Sequence, residues 1–468
     1  MSGQPLERLR LFLRQLSPAA RALLIAELER ALLRGDEIPG GDLVLQEVRR
    51  AVRDSSEQAA RVDNAARLFF RSIEPFLVDE SSALKHQGRI ARGSLEPIWA
   101  WIRRDLVPTE EQVFAEEIGN ALIADDAAAC EQLACDFQDR VAEHIEGALA
   151  LAQTDEKARR RLAGQLGTSR VLADVRDLQE ILKGRSALAA IGDRLPGHIR
   201  NFADAHLDHA KALLDSPLVR RDGISPYALI VVMSRLAAPW QLIRIATKAA
   251  GSDDAARVAA TPYAQAVSIV LAEVERMVAE LKTDLRRGGS VAVTSLLKSI
   301  HDAARGLRTE LDLGIDSPWS RQLATIRAEI SSELKAEIES APGRVRRLLR
   351  PRAAKDIATG STLDSSDVAD TEALIELVGA CRNYASELAI SEMTTRCYHE
   401  IEQYLDTGTQ ALLDGLRSAG PGDLPFRQSQ VDAAVRFCAR VFGQEYASLL
   451  AKAAEVAAQR ERKAAARA

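Results

Sequence analysis

The chain has 468 residues, 47% hydrophobic and 28% charged, the balance of an ordinary globular protein, which excludes a disordered chain. Its net charge of −5 gives no overall attraction to nucleic acid or anionic lipid, so such binding would need a local patch. The length suffices for two or three hydrophobic cores.

Ala, Leu, Arg and Glu dominate and aromatic residues make up only 4%, a composition of strong helix formers. The preference for Ala and Arg also fits coding in a GC-rich bacterium. The N-terminus, MSGQPLERLRLFLRQL, alternates charge with leucine and has no signal-peptide apolar run. Together with five cysteines in no disulfide framework, this points to a reducing cytoplasm. Cys130 and Cys135 fall about 140° apart on one helix and diverge.

Helical periodicity runs almost throughout, and period-two alternation is nearly absent. The first break is GDEIPGGD (35–42) and the second the mixed polar stretch 78–93. In LEPIWAWIRRDL, Trp99 and Trp101 point to opposite sides, so one anchors the core and the other faces an interface or groove. Thr109 with Gln112 has the form of a capping box. Leu133, Phe137, Val141, Ile145 and Leu149 make one apolar stripe. Lys157, Arg159, Arg160 and Arg161 form a short basic run, read as a solvated helix face.

In HIRNFADAHLDHAKALLD, His206 and His209 are three apart, the spacing at which two imidazoles reach one metal ion, with Asp204 and Asp208 beside them. No second helix offers the partner pattern of a di-metal bundle. The competing reading puts Ile199, Ala203, His206, Ala210 and Leu213 on one apolar face, burying His206 in a helix interface. The most apolar stretch, 228–246, is interrupted by Arg235, Pro239 and Arg244, which predicts a buried helix pair instead of a membrane span. A long stripe then runs through Tyr263, Val267, Val270, Val274, Met277, Leu281 and Leu285. Ser17–Pro18, Ser216–Pro217, Ser225–Pro226, Thr261–Pro262 and Ser317–Pro318 each read as an N-cap hydroxyl followed by a proline at the first helical position.

The basic run Arg344, Arg346, Arg347, Arg350 and Arg352 is the one charge feature above background. Clustered guanidinium groups bind phosphate or dock on a partner, and with the ridge Val345, Leu348 and Leu349 they also suit a membrane surface. The same arginines equally suit pairing with acidic neighbouring helices. Interleaved aromatics are absent, so nucleic acid is not expected. The polar stretch 351–370 follows. His399 and Glu400 begin a zinc-peptidase-like pattern that fails because Gln403 stands where the second histidine belongs. Cys397 and His399 lie about 200° apart and do not form a nucleophile–base pair. No phosphate-binding loop or nucleophile elbow occurs.

The reading is an all-α protein, a multi-helix bundle or stacked helical array in two or three segments. These are an N-terminal region (1–166), a central bundle (167–350), a linker (351–370) and a C-terminal module (371–468). Its expected role is a non-enzymatic cytoplasmic scaffold or adaptor with protein partners and no cofactor. The alternatives are membrane-surface association through Arg344–Arg352 and metal binding through His206 and His209.

Overall fold

The computed structural model describes residues 63–79, 84–221, 223–287, 290–314 and 316–465, with scattered positions between 12 and 48. The protein is all-α: helices pack on helices, and strand is confined to two residues each in β1 (Leu77–Val78) and β2 (Ile90–Ala91) among the described residues. β1 and β2 are parallel, with Leu77 opposite Ile90. The chain divides into two compact units, the first drawn from Met1–Asp79, Gln87–Gly197 and Ala212–Val232, the second from Glu80–His86, His198–Lys211 and Met233–Ala468.

The first unit contains α1 (Ala65–Phe70), α2 (Leu95–Trp101), α3 (Pro108–Ile123), α4 (Ala127–Thr154), α5 (Glu156–Leu166), α6 (Ser169–Lys183) and α7 (Arg185–Arg194). Helix α4 is the spine, and α1, α3, α5 and α6 all pack on it. It buries Phe137, Val141 and Ile145 of the predicted stripe together with Cys130 and Ala134, while Leu133 and Leu149 at its ends are only half-buried. Phe137 stacks on Phe114 at 4.2 Å, and Phe69 meets it edge-on at 5.6 Å. Trp101 is the core anchor at 1% exposure, while Trp99 is half-buried against Phe69 and Phe70.

Three more helices follow: α8 (Asp204–Leu214), α9 (Pro217–Arg221) and α10 (Ser225–Ser234). The second unit continues with α11 (Ile243–Ala250), α12 (Ala255–Ala259), α13 (Gln265–Arg287), α14 (Ser290–Glu310) and α15 (Pro318–Leu349). It ends with α16 (Ser365–Leu388), α17 (Ser391–Arg417), α18 (Leu424–Val441) and α19 (Gln444–Ala465). Helix α13 packs on both α14 and α15, successive helices from α15 to α19 pack side by side, and α16 also reaches back to α14, and α17 to α15. The stripe on α13 is buried from Val267 through Val270, Val274 and Met277 to Leu281. The apolar stretch 228–246 is divided between α10 and α11, and no helix among the described residues is long and apolar enough to cross a membrane. The polar stretch 351–370 lies wholly within the second unit. Its last residues already belong to α16, whose N-cap Asp364 accepts from Ser366 N, and α15 and α16 pack together across it.

Helix starts depart from expectation in their chemistry. Proline opens α9 and α15, but Ser317 makes no side-chain capping hydrogen bond, and Thr261 bonds back to the Val258 carbonyl at 2.8 Å. α3 begins at Pro108 with Val107 at the N-cap, so Thr109 and Gln112 are not a capping box. Carboxylates, an amide and a threonine do the capping instead: Asn64, Asp126, Asp155, Thr168, Asp254 and Asp364 each accept from a first-turn N–H. Ser17–Pro18 lies outside the described residues.

In the second unit α14 passes the indole of Trp240 so closely that a Cβ on Gly306 would collide with the ring. A Gly306→Val variant is expected to lose about 1–3 kcal/mol of stability in urea denaturation. Gly147→Ala, in open space on α4, should instead be neutral or gain up to about 1 kcal/mol.

Candidate functional site

Helix α6 carries an amphipathic stripe of Val171, Val175, Leu178, Ile181 and Leu182, with Asp174 and Asp177 set among the apolar positions. Asp174 is fully buried and Asp177 only 6% exposed. A buried carboxylate needs hydrogen-bond donors, and these come from the segment around β2 and from Tyr227 of α10. Asp177 accepts from Gly88 N at 2.9 Å and from the Tyr227 hydroxyl at 3.0 Å. Asp174 accepts from the Ser94 hydroxyl at 2.6 Å and from Ala91 N at 3.3 Å, with Arg170 Nε 3.7 Å from its other oxygen. Burial and the negative charge of Asp177 push the Tyr227 phenol far up, so it stays a protonated donor. Gly88 sits at φ +74°, and a Cβ there would come within 2.5 Å of Ile230 Cδ1.

Beside this polar core, α4, α5 and α6 enclose a cleft of about 920 Å³. Leu149, Leu162 and Leu172 with Ala150, Ala152 and Ala163 supply its apolar lining, and Tyr227 and Asp177 reach it from the core. The charged lining is largely cancelled from within. Arg159 and Arg160 both grip Glu156, at 2.6 and 2.9 Å, and Lys183 holds Glu146 at 2.9 Å. Hydrogen bonds from the two arginines keep the Glu156 carboxyl below the usual carboxylate range. Three carboxamides, Gln87, Gln153 and Gln179, complete the lining. Across α5 lies a smaller pocket of about 340 Å³ containing Trp101, Leu151, Lys157 and Arg161, where Trp101 Nε1 donates to Gln165 at 3.3 Å.

The residues singled out in the sequence lie elsewhere. Arg344–Arg352 closes α15 in the second unit, and Val345, Leu348 and Leu349 are buried in the helix packing, so they form no exposed apolar ridge. Arg346 pairs with Glu400 on α17 at 2.9 Å and Arg347 with Asp367 on α16 at 3.5 Å, while Arg352 lies 5.0 Å over the Phe426 ring. Arg344 and Arg350 make no ion pair among the described residues, although Arg350 contributes its carbonyl to Gln430 at 3.1 Å. His206 and His209 are both exposed, which corrects the buried placement of His206. Helix α8 starts only at Asp204, and Ile199 belongs to an isolated bridge with Leu236, so the buried face runs instead through Leu207, Ala210, Leu213 and Leu214. No group of three or more His, Cys, Asp or Glu side chains among the described residues is arranged to hold a metal ion. All five cysteines are free thiols. Burial pushes Cys381 and Cys438 up to about 12 and also raises Cys130 and Cys397, which keeps these thiols protonated and weakly nucleophilic.

A second titratable cluster belongs to the second unit. His86 Nε2 lies 2.7 Å from Glu275 Oε2 on α13, and Gln322 of α15 donates to the other oxygen at 2.7 Å. Burial draws the Glu275 carboxyl upward, but the hydrogen bonds from His86 and Gln322 and the imidazole charge together hold it below the usual range.

Asp174, Asp177, Tyr227 and Gln179 were not singled out from the sequence. Their one signal was two aspartates occupying core positions of an amphipathic helix. No protein-family model matches the chain, and comparison with curated proteins and with solved structures gives no match. Fold and cleft therefore define a class alone: an all-α multi-helix protein with a mixed polar and apolar cleft.

Asp177→Ala removes the acceptor of a buried N–H and a buried hydroxyl, and should cost about 1–3 kcal/mol, read by urea denaturation together with faster amide exchange at Gly88. For Glu275 the folded carboxyl lies below its unfolded value. Its contribution is therefore complete above the ordinary range near about 4.3 and is lost as pH falls through the folded value. The stability gap between wild type and Glu275→Gln should be open at pH 7 and narrowed at pH 3, and a constant gap would contradict this assignment.

Proposed function

We propose that the protein is a non-enzymatic helical scaffold or adaptor that works through protein–protein contacts. The observation that carries this reading is the cleft on α4, α5 and α6: an apolar lining beside charges of which Glu156, Arg159, Arg160 and Glu146 are already paired. That is the anatomy of a recognition surface, with an apolar centre for contact area and a polar rim for specificity. The chain's most chemically capable groups have structural duties. Asp174 and Asp177 cap backbone donors, and the buried thiols are held protonated. Five free cysteines fit a reducing compartment such as the cytoplasm.

Affinity capture of the tagged full chain from its native cells, with mass spectrometry, tests the proposal on three forms. Wild type should retain a partner. Ala163→Lys, which projects a long side chain into the cleft from an exposed position, should lose it at least tenfold. Arg344/Arg346/Arg347/Arg350/Arg352→Glu should retain it. Loss only in the five-arginine variant would move the docking surface to the end of α15, and a tightly bound catalytic cofactor in purified protein would sink the scaffold reading.

A further inference from the structure

We propose that the cleft on α4, α5 and α6 receives the main chain of an uncharged polypeptide segment, read by the carboxamide of Gln179. This inference rests on the adaptor reading and names the chemistry of its partner. Gln179 is only 6% exposed and lines the cleft, and its carboxamide, which makes no side-chain hydrogen bond to a described residue, opens to it. A ligand that covers this carboxamide must meet both its N–H₂ and its oxygen, or leave them buried without partners. In an extended segment the N–H and C=O of one residue point the same way, and together they present the matching donor and acceptor.

The charges choose the same occupant. An anionic ligand entering the cleft would face Glu146, Asp177 and Glu180, and of its natural receptors Arg159 and Arg160 are engaged by Glu156, which leaves Arg176 alone against those three carboxylates. A cationic ligand would face those arginines and Arg176, and Glu146 is taken by Lys183. A segment without charged side chains meets neither cost. Its small apolar groups rest on Leu149, Leu172 and Ala163 while its amides meet Gln179 and Gln153. On the far wall the Tyr227 hydroxyl is fixed by its hydrogen bond to Asp177, with Gln87 beside it in the lining.

The test is a panning experiment with a library of nine-residue peptides, acetylated at the N-terminus and amidated at the C-terminus, on the full chain, followed by calorimetric titration of the enriched sequences. Enriched peptides should be poor in Asp, Glu, Lys and Arg. Gln179→Leu, of similar size but without the amide, should bind them at least tenfold more weakly. Ala163→Lys should abolish binding at an unchanged melting temperature. N-methylation of successive backbone amides should find one position that weakens binding to wild type tenfold yet has no effect on Gln179→Leu, the coupling expected of a direct contact. Enrichment of acidic peptides whose binding depends on Arg159 and Arg160 would overturn the proposal. So would equal affinity for wild type and Gln179→Leu, or no enrichment at all. Cellular capture of a partner that Ala163→Lys loses, with no library peptide enriched, would remove this inference and leave the adaptor reading standing.

Discussion

Two aspartates three residues apart on α6 bear the structural load of the first unit. Wherever a helical chain leaves helix, its backbone N–H groups lose their internal acceptors and must find others. The segment through β1 and β2 is such a place, and α6 answers with Asp177 under Gly88 and Asp174 under Ala91 and Ser94. The cost of burying the two carboxylates is offset by the two backbone N–H groups and two hydroxyls aimed at them. Gly88 adds a steric condition, since its left-handed backbone and the nearness of Ile230 leave no room for a side chain. The neighbouring Gln87 and the phenol of Tyr227 are placed by the same contacts, so one wall of the cleft is a by-product of how the irregular segment is pinned.

The second unit solves a different problem, the register of long helices lying side by side. Apolar stripes set which faces meet, but a stripe of Val, Leu and Ile tolerates sliding by a turn. Charge pairs across the seams favour one register: Arg308 with Glu387, Lys282 with Glu329, Arg346 with Glu400, and Arg436 and Arg440 on Glu372. Each half-exposed pair is worth only about 0–1 kcal/mol, so their weight lies in choosing between alternatives of nearly equal burial. The arginine run closing α15 belongs to this system. It sits at a helix C-terminus, where positive charge is favoured, and it reaches acids on both α16 and α17.

Helix was legible because its periodicity is carried by many residues at once, and the stripes on α4 and α13 were read nearly residue by residue. Features resting on one contact were not legible. The Ser–Pro and Thr–Pro pairs gave the proline half of a helix start correctly at Pro217 and Pro318, yet the capping hydrogen bonds belong mainly to aspartates that composition alone does not distinguish from surface acids. His206 was assigned to a core face because α8 was extended back to Ile199, whereas the chain there is bridged to Leu236 and shifts the helical phase. The stretch 351–370 changes composition sharply, but a polar connection between packed helices has the same composition as a linker between modules. The cleft was invisible for a general reason: its residues come from three helices and a distant tyrosine, and their meeting is a property of packing.

The pairing of charges inside the cleft shapes how such a surface recognises anything. A rim whose acids and bases nearly balance exerts little field at a distance, so on the proposed reading association would gain little from electrostatic steering and fall near the ordinary range of about 10⁵–10⁷ M⁻¹s⁻¹. Discrimination then falls on short-range terms, namely the fit of small apolar groups and the satisfaction of buried amides. Of these the amide is the sharper, because a ligand that cannot meet it leaves a polar group buried and unanswered, while a missing methylene loses only contact area. On the proposed reading, a cleft built in this way would select by what a partner's backbone offers at one point and depend little on that partner's charge.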